Sequence, residues 1–309
     1  MKKRRQLTDT ILMIRPSHFG YNPETGKTNT FQTKINEIDS ELIRQKAQNE
    51  FDAMVDVLRK QGIQVLVIDD EPSPVKPDAV FPNNWISFHQ DGTVVTYPMQ
   101  TENRRIERRE DLIEIVSKKY QVSRRYLMEV FEEKSQFLEG TGSMIFDHEN
   151  SLVYACLSPR TDVRILEHFG NLMQYTPIYF HSYNESGVPV YHTNVMMALG
   201  VDFVVICLES VPVEERQRLF DSFANTRKEI IEITLAQMNQ FAGNMLQVQS
   251  SFGDQYLIMS QSAYNSLREE QIMQLEKFTR LLPIAIPTIE TIGGGSVRCM
   301  MAEVFLPKL

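Results

Sequence analysis

Apolar residues recur along this chain at two alternating periods. Phe51, Met54, Val55 and Leu58 fall at i, i+3, i+4 and i+7, one face of a helix, and Ile165, Leu166, Phe169, Leu172 and Met173 make a similar stripe. The pattern predicts helices over 40–60, 102–119, 160–173, 212–225 and 262–279. Short β-branched or apolar runs lie between them and predict strands at 65–68, 93–95, 152–154, 203–206, 230–233 and 257–259. Strand, helix and strand follow one another five times with a period in the fifties. Repeated units of that size imply a solenoid, a propeller or a closed ring.

Polar residues keep the same beat. Asn84, Glu139, His192, Asn244 and Cys299 are separated by 55, 53, 52 and 55 residues. In a closed ring, equivalent positions of all the units meet at the axis, which would gather five distant residues into one site. Coincidence is the competing reading, because polar residues are numerous. A length of 309 residues fits either one large ring or two ordinary domains.

Cys299 closely follows Gly293-Gly294-Gly295, a run that lets backbone approach a ligand closely. It is the first candidate nucleophile. Cys156 and Cys207 lie in apolar strands and read as inert core residues. Arg298 is expected to brace the outside, since neighbouring side chains of a strand point to opposite faces. Among the histidines, His192 interrupts an apolar run and is the candidate base, with His181 its rival and a purely structural histidine the bland alternative. Glu139 stands where an apolar strand meets a glycine turn; it is either a carboxylate orienting His192 and stabilising its charged form, or a solvated turn residue.

Composition removes several classes. A formal charge of −8 argues against non-specific nucleic-acid binding, which needs many cations on phosphates. No run approaches a membrane helix, and the basic start, Met1 to Arg5, is followed only by the apolar run 11–14, too short for an export signal. Three widely spaced cysteines suggest a reduced, cytoplasmic setting. Neither a His-Glu-x-x-His nor a Cys-x-x-Cys spacing occurs, so no catalytic metal is expected, and the glycine run lacks the lysine of a phosphate loop.

Glu139-Gly140-x-Gly142, His192-x-Asn194, Ser158-x-Arg160-Thr161 and the terminal glycines with Cys299 together resemble the guanidine-modifying, or pentein, superfamily. Its members include arginine deiminase, dimethylarginine dimethylaminohydrolase and glycine amidinotransferase. Ile14-Arg15-Pro16 with Phe19-Gly20-Tyr21-Asn22 is most similar to the bacterial branch described as citrulline-utilisation hydrolases. The resemblance implies a single α/β domain over residues 1–309, a five-bladed α/β propeller of ββαβ repeats with its site at the centre. It implies Cys299 as nucleophile, His192 as acid and base, Glu139 as their carboxylate, and Arg160 on the substrate α-carboxylate. Arg104, with Arg105 and Glu107, resembles a second such patch, although a solvated helix start is preferred from the residues alone. Asn84 and Asn194 stand where the arginine enzymes carry aspartates. Neutral amides suit a ureido group better than a guanidinium, so citrulline is favoured over arginine. The implied partner is a small amino acid, with no cofactor, metal, nucleic acid or membrane. An amidinotransferase, a binding protein that does no chemistry and a silent amino-acid sensor are the rivals.

Overall fold

The computed structural model describes residues 4–34 and 39–309, so the first three residues of the basic start lie outside it. Five three-stranded sheets follow one another along the chain. Four have consecutive strands: Ile86–Phe88, Thr93–Thr96 and Arg124–Leu127; Ile145–Asp147, Leu152–Cys156 and Thr176–Phe180; Met197–Leu199, Phe203–Ile206 and Glu229–Glu232; Leu246–Gln249, Gln255–Ser260 and Arg280–Ile284. In each, the second strand runs antiparallel to the first, and the third, reached through helix, runs parallel to the second. The remaining sheet joins the chain ends: Thr10–Arg15 pairs in parallel with Gln64–Asp69 and antiparallel with Ala302–Glu303. The fifth repeat therefore takes its first strand from the C-terminal end. The apolar run 11–14, weighed above as an export segment, is the buried middle strand of that sheet.

Five of the six predicted strands fall within observed ones, and 230–233 overruns Glu229–Glu232 by one residue. The missed strands are mostly the first of each sheet, only two to four residues long and too short to show a two-residue alternation. Arg124–Leu127 carries no apolar signal because much of it is exposed. Helix Ser40–Lys60 matches its prediction. The 160–173 helix starts at Val163, where Asp162 accepts from the Arg164 N–H and caps it. Two predicted helices are broken. The 102–119 segment divides into Glu102–Arg105 and Glu110–Ser117, and the break turns the Arg104–Glu107 pair inward. The 262–279 segment divides at Leu267, whose extended backbone ends Gln261–Ser266 before Glu269–Glu276 begins.

Each helix stripe covers its sheet. Leu166 and Phe169 share an apolar cluster with Val153 and Ala155 of their own sheet and with Val95 and Tyr97 of the sheet before. First strands meet between sheets: Ala302–Glu303 lies against Ile86–Phe88, and Met197–Leu199 against both Ile145–Asp147 and Leu246–Gln249. Among the described residues no helix is long and apolar enough to cross a membrane. Phe169 is 0% exposed and Phe252 81%. Phe169→Ala is expected to cost about 3–5 kcal/mol in urea unfolding, and Phe252→Ala less than about 0.5 kcal/mol.

Candidate active site

The five evenly spaced residues occupy equivalent places, each just before the first strand of a sheet. Asn84 ends the short helix Pro82–Asn84, Glu139 and His192 precede the single turns Gly140–Ser143 and Thr193–Met196, Asn244 directly follows the turn at 241–243, and Cys299 lies in a turn. Asn84, His192 and Cys299 line a common small cavity with Arg104, Arg160, Asp78 and Tyr191. The periodic spacing thus marks a real convergence. His181 is elsewhere, half exposed and paired with Glu215, so the rival base drops out.

Two of the glycines in the Glu139 motif are steric requirements. Gly140 has φ +47°, and a Cβ there would collide with the Asn83 carbonyl. A Cβ on Gly142 would stand 2.5 Å from Asn84 Nδ2 and 2.8 Å from His192 Nδ1. The turn therefore brings bare backbone against the two side chains. The terminal glycines act alike: Gly293 and Gly295 press on Phe81, and Gly294, with φ +61°, presses on Asn29 and Gln32.

Glu139 is fully buried. One carboxylate oxygen accepts from the Gln100 backbone N–H at 2.9 Å, the other from His192 Nε2 at 2.8 Å, with Arg160 at 3.5 Å. Burial opposes its charge, but Arg160 and the His192 hydrogen bond outweigh burial and bring its pKa down to about 2. An ionised carboxylate only accepts, so Nε2 of His192 carries the proton and Nδ1 is left as a lone pair. Burial dominates at His192 itself, with a pKa lowered to about 4 despite Glu139. Burial thus favours the neutral ring at rest.

Arg104 is buried, contrary to the solvated helix start preferred above. Burial disfavours its charge, but Glu107, in a two-point pair at 2.8 Å, and Asp78 restore it. Its Nη1 also donates to Asn84 Oδ1 at 2.8 Å, leaving Asn84 Nδ2 buried without a partner among the described residues. Arg160 donates to the Thr25 carbonyl and Thr28 hydroxyl, lies 4.9 Å over the Tyr191 ring, and has an Nε without a partner among the described residues. Asn194 departs from its expected place: it lines no part of the cavity, and its Nδ2 lies 3.4 Å from Cys299 Sγ. Arg298 belongs to a turn rather than a strand and points inside, paired with Glu303 at 2.8 Å. Cys156 and Cys207 are buried, their thiols pushed up to about 12 and about 11 by burial.

Sequence reasoning missed Asp78. It accepts from Asn22 and Thr25 through Oδ2, while Oδ1 is buried and unpartnered among the described residues. An acid beside the apolar run Ala79-Val80-Phe81-Pro82 was the available signal. Thr25, Asn29 and Gln32, on the loop after the first strand, close the cavity from the other side. Their small polar side chains gave no periodic mark.

A family model described as N,N dimethylarginine dimethylhydrolase, eukaryotic, matches residues 15–306. The chain belongs to that family, and with it to the cysteine-dependent guanidine-modifying enzymes of the pentein superfamily. No curated protein matches it significantly by sequence. Among solved structures it is similar to ArgZ, an arginine dihydrolase from the ornithine-ammonia cycle in cyanobacteria, with TM-score 0.73 and 16% identity, covering 97% of this chain but only 41% of that one. The substrate-bound N-terminal domain of ArgZ, in a cysteine-to-serine variant, is 15% identical with TM-score 0.73, and 97% of this chain covers 99% of it. A dimethylarginine dimethylaminohydrolase variant carrying an S-methyl-L-thiocitrulline adduct gives TM-score 0.66 and 15% identity, with 96% and 99% of the two chains covered.

The shifted histidine predicts a pH response. His192 and His89, both lowered to about 4, have folded values below the unfolded value of about 6.5. The unfolded chain therefore binds these protons first, so their stabilisation is complete above about pH 6.5 and is lost as pH falls through about 4. In urea unfolding from pH 7 to 4, His192→Gln should reduce the slope by up to about 1.4 kcal/mol per pH unit. An unchanged slope contradicts a buried neutral ring. Gly142→Ala should fold yet lose most turnover, read by circular dichroism beside an activity assay.

Proposed function

We propose that the chain is a hydrolase cleaving a C–N bond of a ureido or guanidino amino acid, citrulline in preference to arginine, through a covalent intermediate on Cys299. The observation that carries the substrate reading is the amide of Asn84. Its oxygen is held by Arg104, so the group it has left to offer is the unpartnered Nδ2, a donor, which serves a ureido oxygen and cannot serve a guanidinium. Arg160 meets the α-carboxylate with its free Nε, and the free oxygen of Asp78 meets the α-amino group. Arg104, its donors committed to Glu107 and Asn84, holds Asn84 in place. The five sheets read as the blades of a five-bladed α/β propeller, one domain with the cavity at its centre, and three unpaired cysteines fit a cytoplasmic setting.

The neutral ring of His192 first takes the proton of the Cys299 thiol, and Glu139 stabilises the resulting cation. Sulfur attacks the ureido carbon and forms a tetrahedral adduct. The bond from carbon to the side-chain nitrogen breaks, His192 returns its proton to that nitrogen, and ornithine leaves with a carbamoyl group remaining on sulfur. Water then gives a proton to His192 and attacks the carbamoyl carbon. The S–C bond breaks, the proton returns to sulfur, and carbamate departs to become ammonia and carbon dioxide. One histidine thus serves as base and acid in turn.

A second reading, an arginine hydrolase, draws on Asp78, a carboxylate in the cavity that a guanidinium could use as countercharge. The test is kcat/KM for both amino acids in wild type, Cys299→Ala and Asn84→Asp. Cys299→Ala should be inactive with either. Wild type should prefer citrulline, and Asn84→Asp should move the ratio toward arginine by roughly tenfold or more, the effect of about 1.4 kcal/mol. A wild type that prefers arginine, with the ratio unmoved in Asn84→Asp, contradicts the proposal.

A further inference from the structure

Asn244 belongs to the evenly spaced series, yet it lines no part of the cavity and the reaction above gives it no task. It touches the nucleophile. Nδ2 of Asn244 and Nδ2 of Asn194 each lie 3.4 Å from Cys299 Sγ. The orientation of Asn244 is fixed from its other side, where Oδ1 accepts from the Arg298 backbone N–H at 3.0 Å. The group facing sulfur is therefore the NH2, which also donates to the Asn194 carbonyl at 2.9 Å. Asn194 is 0% exposed, Asn244 1% and Cys299 5%, so water competes little for these donors.

We propose that Asn244 and Asn194 form a two-donor cradle that stabilises negative charge on the Cys299 sulfur, and that Asn244 is a further catalytic residue. The inference rests on Cys299 being the nucleophile. A thiol sulfur is a weak acceptor, whereas hydrogen bonds to an ionised acceptor are roughly twice as strong as neutral ones. Two donors aimed at sulfur therefore favour the thiolate over the thiol. The charged neighbours leave this task to them. Arg298 is turned away to Glu303 and the Met301 carbonyl, Arg104 is held by Glu107, and Arg160 stands beside Glu139. His192 is neutral at rest, Asp78 would repel the charge, and Tyr191, whose ionisation burial suppresses, donates to the Gly294 carbonyl. Sulfur bears charge twice in the cycle, when it attacks and when water expels it from the carbamoyl group. A fixed pair of donors lowers both barriers without rearranging.

The test is the pH profile of Cys299 alkylation by iodoacetamide, read by mass on the peptide containing Cys299, in wild type, Asn244→Asp and Asn194→Ala. Asn244→Asp keeps the acceptor for the Arg298 N–H and puts a carboxylate oxygen in place of the donor. Its profile should move up by about one pH unit or more, with alkylation near neutrality slower by about tenfold. Asn194→Ala, which spares the Arg298 bond, should move it in the same direction by less. Unmoved profiles in folded variants, verified by circular dichroism, overturn the cradle. Should Asn244→Asp not fold, Asn194→Ala and Asn244→Ser decide by the same criterion. Because iodoacetamide replaces the amino acid, the cradle stands if profiles move while citrulline is not turned over. It falls alone if citrulline is turned over and the profiles stay.

Discussion

A carboxylate with no exposed surface holds this site together. Glu139 stands before one sheet, receives the histidine that stands before the next, and lies beside the arginine whose other donors secure the loop after the first strand. Removing one partner of such a buried pair typically costs about 3–5 kcal/mol, because the other charge is left uncompensated. The same contact that fixes the orientation of His192 therefore also joins separate repeats. The geometry of the site and the assembly of the repeats rest on one buried set of groups, the carboxyls of Glu139, Asp78 and Glu107 with the guanidiniums of Arg104 and Arg160.

Close approach is the second constraint. The site lies where the turns converge, and at some of them side chains from one turn approach the next because a neighbour has no Cβ. Gly142 lets Asn84 and His192 meet beside the Glu139 turn, and Gly295 lets backbone run beside Phe81 and Cys299. A glycine's conformational cost is repaid here by contact between repeats.

The periodicity of the chain carried most of the fold. Helix stripes such as Phe51 to Leu58 are long enough to register, and most of the middle strands are apolar enough to stand out. The first strands did not, because two to four residues hold no period, and neither did the outer strands Arg124–Leu127, Thr176–Phe180 and Arg280–Ile284. The helix prediction over 102–119 failed at Arg104 and Glu107, where buried charge, invisible to a hydrophobic pattern, broke the helix. The equal spacing of Asn84, Glu139, His192, Asn244 and Cys299 was legible because each repeat offers one turn to a common centre. What the spacing could not reveal was which neighbour each residue faces. Asn194 was assigned to the substrate and meets sulfur, and Asp78 was passed over although it lines the cavity, because orientation within a turn depends on contacts from other repeats.

The covalent intermediate is the central claim, and rapid quenching of wild type with citrulline tests it most directly. Mass analysis should find one carbamoyl group on the peptide containing Cys299, formed together with a stoichiometric burst of ornithine. Ornithine released at the full rate while that peptide, intact after the quench, never gains mass would contradict the account.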